Sequence, residues 1–276
     1  RSSEMTVLSD LFSYPFMVNA FVVGLLVSVC CALLGVTLVL RRYSMIGDGL
    51  SHVGFGALAV ATVAGIAPLK LAVPVVVAAA FILLRVSGNG KLKADAAIAL
   101  ISTSSLAIGI MAVSVNGGIN TDISNYMFGS ILALSRSDVV MSAVLSAAVI
   151  LFFTLSYHRI FAVTFDETFA KATGVRADLY NTMVALSTAL TIVLGLRMMG
   201  ALLISALIIF PPLTAMRICR TFRSVTLCSL ILSVISFAVG LILSFLYGTP
   251  AGAGIVVTDL VLFACFSAVR FLLQRR

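Results

Sequence analysis

The sequence predicts an all-α membrane protein, a polytopic helix bundle of about eight or nine spans, some of them short or broken. Three observations carry that prediction. Of 276 residues, 61% are hydrophobic and only 10% charged, with a mean hydropathy of +1.20, whereas soluble domains carry about 25% charged residues. Apolar runs of about 17 to 25 residues, the length that crosses a bilayer as a helix, follow one another along the whole chain. The basic residues gather between these runs, as a membrane topology requires. The bilayer is therefore the solvent, and the net charge of +8 is read by position rather than as an affinity for nucleic acid.

Residues 1–15 form an N-terminal tail. Its Arg-Ser-Ser-Glu stretch ahead of Met5 reads as an added scar, since no basic region opens a secretory signal. Residues 16–276 form one transmembrane domain, with spans expected over 16–40, 50–66, 69–85, 94–115, 139–157, 181–197, 200–216, 225–247 and 252–272. The spans after Gly49 and Met199 are short for a core about 30 Å thick, so broken helices buried among neighbours are expected there. Pro211 and Pro212 remove two amide donors from the seventh span and should break or kink it.

Two longer stretches separate spans. Residues 116–138 carry a short apolar piece and read as a re-entrant or surface helix on the outer side. Residues 158–180 lie inside, and their DETFAKATG core reads as a short amphipathic helix with an acidic start and a Gly stop. That segment is either a solvated loop or an element that rests in a groove of a separate motor protein. Charge placement orients the bundle. Arg41, Arg42, Arg85, Lys91, Lys93, Arg159, Lys171, Arg176, Arg217, Arg220, Arg223, Arg270, Arg275 and Arg276, fourteen of the 18 basic residues, fall on one side. That side is the cytoplasm, which puts the N-terminus outside and the C-terminus inside.

Several activities are excluded. A P-loop needs GxxxxGK followed by Ser or Thr so that backbone amides cradle phosphate, and SGNGKLKA does not supply it. There is no HExxH, and the only histidines are His52 and His158. Cys30, Cys31, Cys219, Cys228 and Cys265 show no CxxC spacing and read as small buried apolar residues. His158, beside Arg159, has no ligand partner at helical spacing and reads as an interfacial residue.

The chemistry is concentrated in MIGDGLSHVGFG. Asp48 and His52 stand four apart, which on a helix puts them on one face, one turn apart. A carboxylate oxygen and an imidazole nitrogen within mutual reach suit Zn²⁺, Mn²⁺ or Fe²⁺ better than Ca²⁺ or Mg²⁺. An ionisable pair inside a span is costly unless it pairs, faces water or meets a cation. The same spacing also fits a plain cap at the head of the span, and the four glycines around the pair fit close helix packing. Asp259, inside the last span, either faces the outer vestibule or bonds to Thr258, Arg197 or a neighbouring helix. Asp122 and Asp138 on the outer side are read as helping to receive a cation or a binding protein, or as exposed acids at loop ends.

Four stretches together resemble one family. They are LRRYSMIGDGLSHVGFGALA, YMFGSIL, FDETFAKATGV, and MMGALLISALIIFPPLTA with its basic loop and TPAGAGIVV. From about Asn19 onward the chain is similar to the zinc, manganese and iron permeases of bacterial ATP-binding-cassette (ABC) importers. The resemblance implies a type II ABC importer-like fold in the bacterial cytoplasmic membrane and a homodimer. It implies two cytoplasmic ABC ATPase subunits and an extracytoplasmic solute-binding protein that delivers the ion. It implies no permanently bound cofactor, and a transported Zn²⁺ or Mn²⁺, or Fe²⁺, met by Asp48 and His52 in the family's DxxxH pattern. It also makes Asp166, Glu167 and Gly174 ATPase-coupling residues. Zinc is the preferred metal, on imidazole chemistry and the Irving–Williams order. The competing readings are an ion-driven secondary transporter using Asp48, His52 and Asp259 as a proton relay, a siderophore or cobalamin permease, and a receptor without transport.

Overall fold

A computed structural model of the chain describes residues 15–88, 94–116 and 136–274. Among these the protein is helical throughout. The elements are α1 (Pro15–Leu40), α2 (Ser44–Val63), α3 (Pro68–Gly88), α4 (Ala94–Val115), α5 (Arg136–Leu155), α6 (Tyr157–Phe165), α7 (Glu167–Ala172), α8 (Ala177–Met199), α9 (Ala201–Ile218), α10 (Phe222–Tyr247) and α11 (Ala251–Gln274). In hydrocarbon every backbone N–H and C=O needs an internal partner, and a helix supplies it within the segment. All nine expected spans are present as helices. Eight are long and apolar enough to cross a membrane, and the stretch Pro68–Leu83 of α3 falls short of that length. The outer stretch 116–138, with its YMFGSIL segment and Asp122, lies almost wholly outside the described residues.

The two spans expected to be short are continuous helices. α2 starts at Ser44 rather than near residue 50, which places Asp48 and His52 inside the helix. α9 runs unbroken to Ile218 with Pro211 and Pro212 inside it. Gly200, at φ 82, separates α8 from α9; a residue with a side chain would be strained there.

α1 and α2 lie at the centre, with 78% and 72% of their spanning windows buried, against 11% for α11. α2 packs on α3, α4 and α9, while α11 packs on α9 and α10. Between lipid and protein the hydrophobic effect discriminates little, so close backbone approach holds such helices together. One such approach is the α2–α4 crossing, where a Cβ built on Gly56 would stand 2.4 Å from the Ser105 carbonyl oxygen. A second cluster gathers at the other end of α1 around Phe153, Ile160, Val163, Tyr180 and Phe222. Its aromatic part stacks Tyr157, Phe161 and Phe165 against Phe222, with ring centroids 5.3 to 6.1 Å apart.

Candidate functional site

The site begins with the three-residue connection between α1 and α2. Arg42 and Tyr43 donate their amides back to Val39 and Leu38 at 3.0 and 2.8 Å, so the chain reverses without slack. Arg42 adopts φ 62, a left-handed conformation uncommon outside glycine. α2 then carries the DxxxH pair. From Ile46 to Ala59 every residue of α2 is buried except Asp48 and His52. Their side chains are 36% and 29% exposed, and Asp48 Oδ2 lies 3.6 Å from His52 Nε2.

That separation is close to what one ion needs. Two ligands about 2.1 Å from a tetrahedral Zn²⁺ sit about 3.4 Å apart. Among the described residues no cluster of three or more His, Cys, Asp or Glu exists, so these residues offer an incomplete ligand set. Next to the pair, Ser51 donates to the Asp48 carbonyl at 2.7 Å and meets Ser205 of α9 at 2.9 Å, which fixes the rotation of α2 against α9. The glycines around the pair serve packing. Added Cβ atoms would meet Ile208 at position 47, Ile98 at 49 and Leu196 at 54, all at 3.2 Å or less.

The second feature lies on the side where the sequence places the cytoplasm. Asp166 caps α7 by accepting the Phe169 amide at 2.8 Å, and Gly174 at φ 84 ends the turn that follows. The acidic start and Gly stop expected of this helix are both present. Glu167 is half-buried and held by several partners. Its Oε2 accepts from Arg41 at 2.6 Å and from Asn181 at 3.1 Å, while Oε1 pairs with Lys171 at 2.9 Å, and Lys171 also reaches Asp178 at 3.0 Å. Partial burial pushes the Glu167 carboxyl up, but the hydrogen bonds from Lys171 and Asn181 and the charges of Arg41 and Lys171 outweigh it and leave it below the usual range. The Lys171 ammonium is correspondingly raised by its bonds to Glu167 and Asp178.

Some groups lie elsewhere than the sequence suggested. Asp138 is a buried acid at the start of α5, not an exposed one, and its Oδ1 accepts from Arg197 at 2.8 Å. Arg197 therefore serves Asp138 rather than Asp259, because it ends α8 where α5 begins. Thr258 bonds within its own helix, to the Gly254 carbonyl. Asp259 is buried against α10, with the Ser236 hydroxyl as its hydrogen-bonding neighbour and Oδ2 unpaired. Cys30 and Cys31 are buried as expected, but Cys265 is exposed. His158 is exposed and stacks edge-on against Tyr157.

Arg41 and Asn181 went unnoticed in the sequence, Arg41 because it counted only as one more inside charge. Phe161, Phe165 and Phe169, all exposed around the α6–α7 junction, were also missed. The four-residue spacing of Phe161 and Phe165 was a visible signal of one helical face, while Phe169 lies on α7, beyond the extended residue Asp166.

Comparison with known proteins places these features in context. A family model described as the ABC 3 transport family matches residues 13–270. The manganese transport system membrane protein MntC of Halalkalibacterium halodurans is 30% identical, across 95% of this chain and 90% of that protein. The high-affinity zinc uptake system membrane protein ZnuB of Haemophilus influenzae is 29% identical, across 91% and 96%. Among solved structures, PsaBC from Streptococcus pneumoniae in complex with Fab superposes with a TM-score of 0.83 at 27% identity, covering 95% of this chain and 94% of that one.

Proposed function

The chain belongs to the ABC 3 transport family, the metal permeases of ABC importers, and from that premise we propose that it carries a divalent transition metal inward across the bacterial cytoplasmic membrane by ATP-driven alternating access. Zinc is the first choice, then manganese or ferrous iron. The observation that carries this reading is the open pair Asp48 and His52 on an otherwise buried stretch of α2, spaced for one ion. Two protein ligands completed by water, or by a second copy of the chain, hold an ion loosely enough for transit. A closed cage would not release it. Carboxylate and imidazole suit Zn²⁺, and competing softer geometry is absent from the pair.

In this reading the permease works as a homodimer, with its N-terminus outside and its C-terminus in the cytoplasm. A solute-binding protein delivers the ion from outside. Two ATPase subunits dock at α7, positioned by the Asp166 cap, the Glu167 pairs and the Gly174 turn. Support comes from Phe165 and Phe169, which are 59% and 63% exposed beside charged residues. Large apolar groups at a polar rim mark a surface that a partner covers. ATP favours one of two conformations by binding it more tightly, and the metal at Asp48 and His52 changes the side it faces. An ion-driven relay through Asp259 gains no support, since that carboxyl sits on α11 against Ser236 of α10.

The test is uptake of Zn²⁺ and Mn²⁺ into liposomes holding the permease, its ATPase and its binding protein, with and without ATP. ATP-dependent uptake that collapses in Asp48→Ala and in His52→Ala, with the ATPase still co-purifying, is the expected result. Undiminished uptake in both variants returns the pair to a structural role, and uptake without ATP favours an ion-driven carrier.

A further inference from the structure

We propose that Arg41 is a positioning residue that links α7 to the metal-bearing helix α2, so that a displacement of α7 reaches Asp48 through the α1–α2 turn. This rests on the reading of α7 as the ATPase contact and deepens it.

Three observations carry the proposal. Arg41 joins the turn to α7 and to α8, bonding Glu167 of α7 at 2.6 Å and the Asn181 side-chain oxygen on α8. A planar guanidinium fork can hold two acceptors in fixed geometry, which a lysine ammonium on a flexible stem does not. The turn is also stiff. Consecutive amides of Arg41, Arg42 and Tyr43 bond back to Thr37, Val39 and Leu38, and Arg42 is held left-handed. Movement of Arg41 is therefore passed on rather than absorbed. Third, α2 follows the turn at once and is an unbroken helix, with Asp48 four residues beyond its first residue Ser44, about 6 Å at helical rise. Beneath the link lies a small cleft lined by Arg41 and Asn181 themselves together with Tyr43, Ile46, Tyr180 and Val184. Glu167 is the opposite end of the same lever, because it also grips Lys171 of α7 itself.

The experiment uses the full transporter in liposomes with Zn²⁺ as the probe, and reads three quantities: co-purification of the ATPase, ATP hydrolysed, and ions imported per ATP. Arg41→Lys, Arg41→Ala and Glu167→Gln are compared with wild type. The expected result is retained co-purification and hydrolysis in the two Arg41 variants, with ions per ATP falling about tenfold in Arg41→Ala, less in Arg41→Lys, and no further in the Arg41→Ala/Glu167→Gln pair than in Arg41→Ala alone. If Arg41→Ala does not fold, the Arg41→Lys ratio decides. An unchanged ratio overturns the proposal, as does a proportional fall of hydrolysis and uptake, which marks a merely structural contact. Failure of the wild-type chain to retain an ATPase at all instead overturns the reading of α7 on which the proposal rests.

Discussion

Replacing Gly56 by Ala tests the idea that backbone contact between α2 and α4 holds the metal-bearing helix in place. A Cβ at this position would stand 2.4 Å from the Ser105 carbonyl oxygen and 3.0 Å from its carbon, whereas ordinary contact begins near 3.4 Å. The obstacle is backbone, so α4 must retreat by about 1 Å along its whole crossing. Retreat also breaks the reciprocal contact, because a Cβ on Gly109 would lie 2.8 Å from the Gly56 Cα. Gly54→Ala, half a turn away on the same helix, is the matched control. Its Cβ would meet only Leu196 Cδ1 at 3.2 Å and Val76 Cγ2 at 3.5 Å, ends of side chains that can yield. Both substitutions gain the same helix propensity, about 1 kcal/mol, so their difference isolates the packing. Overpacking of this kind costs about 1–3 kcal/mol, which at about 2 °C per kcal/mol for a chain of this size gives a Tm gap of about 2–6 °C. Thermal unfolding followed by circular dichroism at the helical band in detergent measures it. Equal Tm values for the two variants would refute the argument.

Other predictions rest on the ion pairs. Arg197→Ala removes a charge-assisted bond from the buried Asp138 carboxylate, so it should destabilise the protein by about 1–3 kcal/mol, and adding Asp138→Ala should recover part of the loss. Thermal unfolding of the single and double variants, run as a mutant cycle, checks this coupling. The Glu167 carboxyl is held below its usual range, so its folded form favours the ionised state. The anchorage of α7 should therefore be complete above the ordinary glutamate range and be lost as pH falls through the lower folded value. Hydrogen exchange of the Phe169 to Val175 amides across that range should show the loss, and Glu167→Gln should flatten the profile.

Much of the fold was legible because each span is a local affair. A run of apolar residues in hydrocarbon has to close its own hydrogen bonds, so composition alone located nine helices to within a few residues. The misplaced start of α2 has an equally local cause. Residues 44–49 mix polar groups and glycine, and hydropathy ends a span where the helix does not. The α7 segment was readable from its cap and stop, since Asp166 and Gly174 act within three or four residues of themselves.

The candidate site divides along the same line. The sequence by itself determined that the chain spans a membrane as helices, that Asp48 and His52 share a helical face, and that DETFAKATG forms a capped helix. Only the tertiary structure decided that this face is the open one on α2, that Glu167 is gripped by Arg41 from 126 residues away, and that Arg197 answers Asp138 rather than Asp259. Helical periodicity states which residues lie on one face of a helix. It contains nothing about which other helix that face meets, because that choice is made by the fit of small residues and bonding groups between helices distant in the chain.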